Sequence, residues 1–488
     1  MSKMSFISGL PHRSSSYFYV GDFFRILNAA VFGLEPPETT VGFKLENYDV
    51  DYATGFFPPE PLPRLRGLFD LWERALDDAE GNVSLGEDTR ESAKAKRPYG
   101  ESWRERVRTV SMRDYWTCMS QPKLTPPQFP VLDTGLLVDE EPLLQRAHMV
   151  LAFLVHFYVH SQPPSDTPMP IHVPESLAIP IVHVSRALGI APVLTFADTV
   201  LWNAMPADSQ LPMSASNIKF VHSFSSASTE RNFHIASAKA ELRGVEILRI
   251  IEDYAQLPDI VNVHAVSKTA RDLRRLVTVV QDLTDIIQNV REAVDPYSFY
   301  WEVRPWFRGS GCGASKWIFD GVPDSDSLDL AGPSAGQSTV MHALDVFLDV
   351  DHQLHQKRSP APSEENKRAD RGFMERMRRY MPGDHQAFLR DLAALRVPIR
   401  ARAKTSPLLR ESYDLAILAL KKFRDAHMRI ACLYVISMAN TTPPGTPEEG
   451  SERQRAQQGP RQGTGGSHIS SLLKAGRDAT DRSLLGRR

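Results

Sequence analysis

A histidine in the clearest helical pattern of the chain is the strongest candidate for metal chemistry. His427 lies in the apolar, periodic stretch 407–438, with Arg424 one helical turn before it. Four side chains share one face at this spacing: Phe423, His427, Ile430 and Tyr434. A histidine on an apolar face is more often a satisfied core residue. The neighbouring guanidinium favours a second reading, because it could hold a propionate of a haem whose iron His427 ligates.

A second candidate is the sequence GPSAG at 332–336, which matches the G-x-S-x-G pattern of serine hydrolases with Ser334 as the nucleophile. That motif requires a core strand before it and a helix after it. The preceding residues are polar and do not predict a strand, whereas a helix does follow. The alternative interpretation is a loop of small residues that brings backbone close to a flat ligand.

Two further clusters carry polar side chains at suggestive spacings. His156 and His160 stand four residues apart, but the glutamate of a zinc H-E-x-x-H motif is missing, so a structural role is favoured. Arg304 and Arg308 are flanked by tryptophan and phenylalanine in EVRPWFRGS. An arginine beside an aromatic wall is well placed to bind a carboxylate.

Bulk composition narrows the class of partner. Hydrophobic residues make up 42% of the 488 residues, and the formal net charge is −2, which argues against nucleic acid and favours a small-molecule ligand. The cysteines Cys118, Cys312 and Cys432 are far apart, so neither a zinc knuckle nor a disulfide framework is predicted. No uninterrupted apolar span is long enough to predict a membrane helix. We expect a cytoplasmic protein whose N-terminus has only a weak targeting character.

The elements that must position these residues are predicted to be mostly helices. Residues 141–161 predict a buried helix, 235–255 and 260–294 predict long helices, and 79–102 are polar enough to predict a loop. We expect a smaller N-terminal lobe, 1–213, and a large all-helical lobe, 214–488. Within the second lobe, 439–463 predict a disordered tether and 463–488 a lid that ends in a helix. The polar stretch 356–370 predicts a solvated insertion.

Seven blocks of the sequence resemble the indoleamine 2,3-dioxygenase family, and they follow one another in the family's order. The upstream stretch VDYATGFFPPEPLP (50–63) also resembles the family's N-terminal region. The matching blocks are SLAIPIVHVSRALGIAPVLTFADTVLWN (176–203), RNFHIASAKAEL (231–242), DPYSFYWEVRPWFRGSG (295–311), AGPSAGQSTVMHALDVFL (331–348), MRRYMPGDHQAFLRDL (377–392), LRESYDLAILALKKFRDAHMRIACLYVI (409–436) and GTGGSHISSLLKAGRDATDRSLL (463–485).

The resemblance implies haem b as the cofactor, bound between a small and a large helical lobe. His427 matches the proximal iron ligand, and Arg424 matches the arginine that pairs with a haem propionate. Ser334 and Ala335 match the loop close to haem and substrate. His385, the other tempting histidine, matches a structural residue of the family.

The resemblance also implies a substrate site. Arg304 matches the residue that holds the substrate carboxylate, and Thr464 matches the threonine of the mobile lid. The remaining matches form the walls of the pocket: Phe233, Phe299, Ser237, Phe196 and Thr199. Phe196 and Thr199 occupy positions where relatives have tyrosine and cysteine, so the affinity for substrate is open.

The implied reaction inserts O2 across the indole C2–C3 bond of L-tryptophan or a related indoleamine and gives N-formylkynurenine. It is the first step of the kynurenine pathway and needs an electron donor that keeps the iron ferrous. The cofactor supplies the difficult chemistry, so no acid–base pair is expected. Three alternatives stay open: a slow paralogue or haem-based sensor, a serine hydrolase that uses Ser334, and a helical scaffold without cofactor.

Overall fold

The computed structural model describes residues 43–108, 129–164, 169–257, 262–311, 315–350, 372–395, 397–445, 463–464 and 469–486. The chain groups into two contact units, Met1–Phe43 and Lys44–Arg488. The predicted insertion 356–370 lies outside the described residues, as does most of the predicted tether 439–463. The division into lobes at residues 213 and 214 stays a prediction.

The described chain is mostly α-helical, which confirms the predicted fold class. The α-helices of four or more residues are α1 (Asp70–Ala79), α2 (Glu91–Val107), α3 (Glu141–His160), α4 (Glu175–Leu188), α5 (Ser228–Ala255), α6 (Val263–Ala293), α7 (Thr339–Phe347), α8 (Phe373–Arg378), α9 (Gly383–Ala393), α10 (Ile399–Thr405), α11 (Pro407–Ala431) and α12 (Ile469–Arg482).

Shorter elements connect these helices. A helical turn spans Pro296–Ser298, and the 3₁₀ turns are Leu45–Tyr48, Gly67–Phe69, Thr134–Leu137, Arg304–Phe307, Ser325–Ser327, Ala335–Gln337 and Met438–Asn440. π-Helical segments span Ala197–Leu201, Phe299–Val303 and Cys432–Ser437. The strands are β1 (Ile171–Val173), β2 (Ala204–Met205), β3 (Lys219–Phe220) and β4 (Trp317–Phe319). β1 pairs in parallel with β4, and β2 pairs antiparallel with β3.

Helix α3 is the central core helix of the part of the chain before the long helices. Its side chains from Leu144 to Val159 are all buried, as expected for a helix that is apolar nearly all round. It is also the one helix of the described residues with the length and hydropathy of a membrane span, and 89% of that window is buried inside the protein. The prediction of a buried helix at 141–161 is confirmed.

The long helices α5, α6 and α11 form the framework of the site. α6 packs against both α5 and α11, and α12 packs along α11. α11 begins with Pro407 in its first turn, where a proline costs no hydrogen bond, and α6 is capped by Asn262, whose side chain accepts from the backbone N–H of His264. The burial of Tyr413, Ile417 and Leu420 follows the helical period of α11.

The predicted loop at 79–102 is wrong, because the structure has helix α2 from Glu91 to Val107. Its polar composition hides a narrow apolar stripe: Ala93, Trp103 and Val107 are buried. The indole Nε1 of Trp103 donates to the carbonyl of Ala75 at 2.9 Å and so ties α2 to α1. Tertiary packing of a few residues outweighs the weak local signal.

Candidate active site

One cavity of about 430 Å³ collects every residue that the sequence predicted for the site. Its walls come from α5, α6, α11, α12, the π-helical segments and the loop around Ser334. The predicted residues that line it are Phe196, Thr199, Phe233, Ser237, Phe299, Arg304, Ser334, Ala335, Arg424, His427 and Thr464. Residues more than 260 positions apart in the chain therefore meet at one place, although their individual roles stay predictions.

His427 presents an uncommitted imidazole to this cavity. Within the described residues, neither of its ring nitrogens makes a hydrogen bond, and its nearest ring is Phe423, with centroids 6.4 Å apart. Burial lowers the pKa of His427, and the charge of Arg424 lowers it further. A neutral imidazole with a free lone pair is the form that ligates iron.

Arg424 lines the cavity but is held by the protein itself. One terminal nitrogen lies 2.5 and 2.6 Å from the carboxylate oxygens of Asp345, and the other donates to the Gly476 carbonyl at 3.0 Å and to the Thr480 hydroxyl. The sequence did not show this partner, because Asp345 precedes Arg424 by 79 residues. The ion pair fixes the guanidinium at the cavity wall, one turn from His427.

Aromatic rings from two elements form an apolar wall. The rings of Phe233 and Phe299 lie 4.7 Å apart between centroids, and Phe307 and Tyr434 extend the cluster at 6.5 Å from Phe233 and 5.7 Å from Phe299. All of these residues line the cavity. Such a surface can bury a flat aromatic ligand.

The two small hydroxyl groups in this wall are turned back to their own helices. The Ser237 hydroxyl donates to the Phe233 carbonyl at 3.1 Å, and the Thr199 hydroxyl donates to the Thr195 carbonyl at 3.1 Å. Their hydrogen-bond donors are therefore used within the protein. The wall is less polar than its residue types suggest.

Arg304 is half-buried, and its side chain lines the cavity. Its guanidinium carbon lies 5.3 Å from the centre of the Tyr300 ring, which supports the side chain from one face. Arg308, which the sequence could not separate from Arg304, is instead paired with Glu87 at 3.0 Å and does not line the cavity. Between the two arginines, only Arg304 can contact a ligand bound there.

The backbone of the loop around Ser334 packs closely against the backbone at Phe307. A Cβ on Gly332 would lie 1.8 Å from the Phe307 carbonyl oxygen, so this position requires glycine. Thr464 makes two hydrogen bonds to this loop. Its hydroxyl donates to the Pro333 carbonyl at 2.6 Å, and its carbonyl accepts from the backbone N–H of Gly332 at 3.2 Å. The predicted lid residue is thus seated on the loop.

Ser334 lacks the surroundings of a hydrolase nucleophile. Its backbone is extended, and its Oγ accepts from the backbone N–H of Gly336 at 3.2 Å. His342, the nearest candidate base in sequence, donates from Nε2 to the Gly336 carbonyl at 2.8 Å instead. None of the hydrogen bonds in the described ranges joins Ser334 to a histidine.

The other candidate histidines have structural partners. His156 Nδ1 donates to the Trp306 carbonyl at 2.7 Å, and His160 Nε2 donates to the Arg308 carbonyl at 2.9 Å. These bonds anchor the segment that carries Arg304 to α3. His385 is fully buried against Phe56, with ring centroids 4.4 Å apart, and burial lowers its pKa to about 3. No group of three or more potential ligands for a metal ion occurs within the described residues.

Sequence reasoning missed several residues that shape the cavity. Gln337 joins two walls, because its Oε1 accepts from the N–H of Phe196 at 2.8 Å and its Nε2 donates to the Gly332 carbonyl at 3.0 Å. Glu241 lines the cavity, accepts from the Ser338 hydroxyl at 2.5 Å, and has its pKa raised to about 7 by burial. A glutamine that follows GPSAG carries no local signal for such a bridge.

The π-helical segments were also missed, and all those in the described residues reach the cavity. Thr199 lies in the first, Phe299 in the second and Tyr434 in the third. A π-helical turn inserts one extra residue and redirects the side chains around it, and such turns are frequent at functional sites. Hydrophobic periodicity alone does not reveal them.

Comparison with known proteins shows the family of the chain. The family model described as indoleamine 2,3-dioxygenase matches residues 44–483. Indoleamine 2,3-dioxygenase 1 of Mus musculus is 27% identical over 90% of this chain and 96% of its own length, and indoleamine 2,3-dioxygenase 2 of Mus musculus is 30% identical over 73% and 83%. A 6-hydroxytryptophan 2,3-dioxygenase of Fusarium equiseti is 27% identical over 90% and 98%.

The chain is therefore an oxidoreductase of the dioxygenase class. It belongs to the indoleamine 2,3-dioxygenase family, which confirms the resemblance found in the sequence.

Proposed function

We propose that this protein binds haem b and inserts O2 across the indole C2–C3 bond of L-tryptophan to give N-formylkynurenine, the first step of the kynurenine pathway. The observation that supports this most strongly is the single cavity that gathers all of the predicted site residues. We further propose that it acts in the cytoplasm, with an electron donor that keeps the iron ferrous.

The residues around His427 fit a haem. The His427 imidazole, which has no hydrogen-bond partner among the described residues, faces a largely apolar cavity, as expected of a ligand to the iron of a flat hydrophobic cofactor. His234 also lines the cavity, but its ring nitrogens are buried and its Nε2 lies 3.8 Å from Glu230. Within the described residues no cluster of several ligands competes with His427. His427 would ligate the iron, and Arg424, Ser334 and Ala335 would contact the cofactor. When bound, the haem supplies the ferrous iron that activates O2.

The protein's own residues bind and orient the substrate. Arg304 would hold the carboxylate with a charge-assisted bond, and the rings of Phe233 and Phe299 would pack on the indole. Phe196, Thr199 and Ser237 offer no free hydrogen-bond donor to the cavity, because the hydroxyls of Thr199 and Ser237 already donate to backbone carbonyls. The site therefore positions its reactants and excludes water.

Thr464 would cover the amino-acid end of the substrate. This role is supported by the two hydrogen bonds of Thr464 to the Gly332–Pro333 loop and by its position in the wall of the cavity that Arg304 also lines. Closure of such a segment removes water and strengthens the contacts to the charged end of the substrate.

The direct test is an absorption spectrum of the purified protein, reduced and mixed with O2 and either L-tryptophan or 6-hydroxytryptophan. A Soret band with growth of the formylkynurenine absorption on L-tryptophan supports the proposal. Turnover of the hydroxylated substrate alone would transfer the reaction to that substrate class. A Soret band without any product would favour the sensor, and no Soret band after haem supplementation would reject the cofactor.

Ser334→Ala separates the dioxygenase from the hydrolase alternative. We expect substantial dioxygenase activity and an intact Soret band, since the Ser334 Oγ only accepts from the Gly336 N–H. The wild-type protein should not be labelled by a fluorophosphonate. Labelling that disappears in Ser334→Ala would support a serine nucleophile.

A further inference from the structure

A second cavity, of about 520 Å³, adjoins the first. It is enclosed by the end of α5, by α7 and α8, and by the region where α9 leads to α10. The two cavities share Asp345 and Met374 as wall residues, and the remaining lining differs. None of the site residues that the family resemblance implied lines this second cavity.

Two guanidinium groups line the second cavity with few partners. The Arg378 side chain makes one hydrogen bond, from Nε to His342 Nδ1 at the long distance of 3.4 Å. Arg400 Nε is buried without a partner, its NH2 group donates to the Arg482 carbonyl at 3.4 Å, and its NH1 group stays 3.7 Å from Asp349. Burial lowers the pKa of Arg378. Both side chains are half-buried, and their contacts are long: Arg378 has the bond to His342 and Arg400 has the ion pair with Asp349. Each guanidinium therefore keeps donors that a bound anion could use.

The acidic residues that line the cavity do not saturate these two guanidinium groups, since the closest of them, Asp349, stays 3.7 Å from Arg400. Asp345 is committed to Arg424 on its other side, at 2.5 and 2.6 Å. The side chain of Asp349 is 55% exposed to solvent, and Glu375 is exposed. An anion that entered the cavity would therefore meet donors rather than a filled ion pair.

The rest of the lining is apolar. Tyr254, Phe347, Leu392 and Ile399 are all buried, and the Tyr254 hydroxyl is already used in a hydrogen bond to the Val397 carbonyl at 2.9 Å. A ligand for this space consequently needs an apolar body as well as a charged end. Inorganic anions would leave the apolar walls uncovered.

We propose that the second cavity is a binding site for a small organic carboxylate with an aromatic or aliphatic body, held by Arg378 and Arg400. The site has its own cations, since Arg304 and Arg424 line the catalytic cavity whereas Arg378 and Arg400 line only the second one. This inference does not rest on the proposed reaction, since it concerns binding alone.

Calorimetric titration of the haem-loaded, full-length protein with benzoate tests the proposal, and benzyl alcohol is the neutral probe of the same shape. We expect saturable benzoate binding and no measurable binding of benzyl alcohol. Arg378→Gln combined with Arg400→Gln should lower benzoate affinity by about tenfold or more, because it removes charge-assisted bonds. The matched control, Arg308→Ala, should leave benzoate affinity unchanged, because Arg308 pairs with Glu87 and lines neither cavity.

Several results would overturn the proposal. These are no benzoate binding to the wild-type protein, equal binding of benzyl alcohol, and unchanged benzoate affinity in the double variant. Loss of binding in Arg304→Ala alone would place benzoate in the catalytic cavity. If the double variant fails to fold, as judged by circular dichroism, the wild-type comparison of the two probes and the single Arg400→Lys variant, with an expected smaller loss of affinity, still decide the question.

Discussion

His427 and His385 are both enclosed by protein, yet their surroundings differ in kind. His427 faces an open cavity with both ring nitrogens free of hydrogen bonds to described residues, whereas His385 is enclosed by Phe56 and its neighbours and does not line that cavity. An imidazole can ligate a cofactor only where there is space for the cofactor. Geometry thus separates two histidines that the sequence pattern alone left similar.

His427→Ala should abolish haem retention, because it removes the proposed iron ligand, whereas His385→Ala should retain haem. The measurement is the ratio of Soret to protein absorbance after gel filtration, with folding checked by circular dichroism. Equal loss of haem in the two variants would contradict the assignment of His427.

Arg304→Ala should raise KM for the amino-acid substrate by roughly 10- to 100-fold, which corresponds to about 1.5–3 kcal/mol for a hydrogen-bonded charge contact. Arg308→Ala is the matched control, since Arg308 pairs with Glu87 away from the cavity. Steady-state kinetics on both variants compare the two positions. An unchanged KM in Arg304→Ala would mean that the carboxylate is bound elsewhere.

At the scale of elements, a chain of hydrogen bonds links Thr464 to the segment of the cavity wall that contains Phe196. Thr464 binds the Gly332–Pro333 backbone, Gly332 accepts from Gln337, and Gln337 accepts from the N–H of Phe196. Gln337 is 2% exposed and bridges two segments 136 residues apart, 196 and 332, through their backbones. We infer that it is a positioning residue that sets the width of the cavity.

Gln337→Met should lower kcat/KM on the order of tenfold, mainly through KM, because a small displacement of Phe196 or of the loop disturbs the alignment of the substrate. The Soret maximum should stay unchanged. Gln386→Met is a matched control, since Gln386 also joins two backbone segments outside the cavity. Its Nε2 donates to the carbonyls of Gly189 and Met381, at 2.7 Å each. Equal kinetic effects in the two variants would mean that only stability had changed.

The sequence predicted those elements that have a strong and regular pattern. α3, α5, α6 and α11 were found because long apolar periodicity defines them, and the ligand face of α11, with Phe423, His427, Ile430 and Tyr434, does line the cavity. α2 was missed because four buried residues in a polar stretch, one of them a glycine, give little periodicity. The Asp345–Arg424 pair and the Gln337 bridge depend on distant contacts, so no local pattern could reveal them.

At the scale of the whole molecule, buried histidines make stability depend on pH. Burial lowers the pKa of His385 from 6.5 to about 3. Below pH 6.5 the unfolded chain takes up a proton at this histidine, whereas the folded protein does not until the pH approaches 3. The contribution of His385 to stability is therefore complete above pH 6.5 and falls as the pH decreases below it.

His385→Phe removes this titration while keeping a ring beside Phe56. Between pH 7.5 and pH 5 the free energy of unfolding of the variant should rise relative to that of the wild-type protein by about 2 kcal/mol. Urea denaturation at both pH values measures this difference, and comparing the two proteins cancels the other titrating groups. A difference that does not vary with pH would show that the pKa of His385 is the same in the folded and the unfolded protein.

Helix α12 supplies one wall of the catalytic cavity through Ile469, Leu472 and Leu473, and its Thr480 holds Arg424. Every other element of that cavity is translated before it. During synthesis the pocket therefore stays open on the side of α12 until this helix leaves the ribosome and docks on α11. The proposed haem would be enclosed only after that moment, so its capture would follow the docking of α12 on α11.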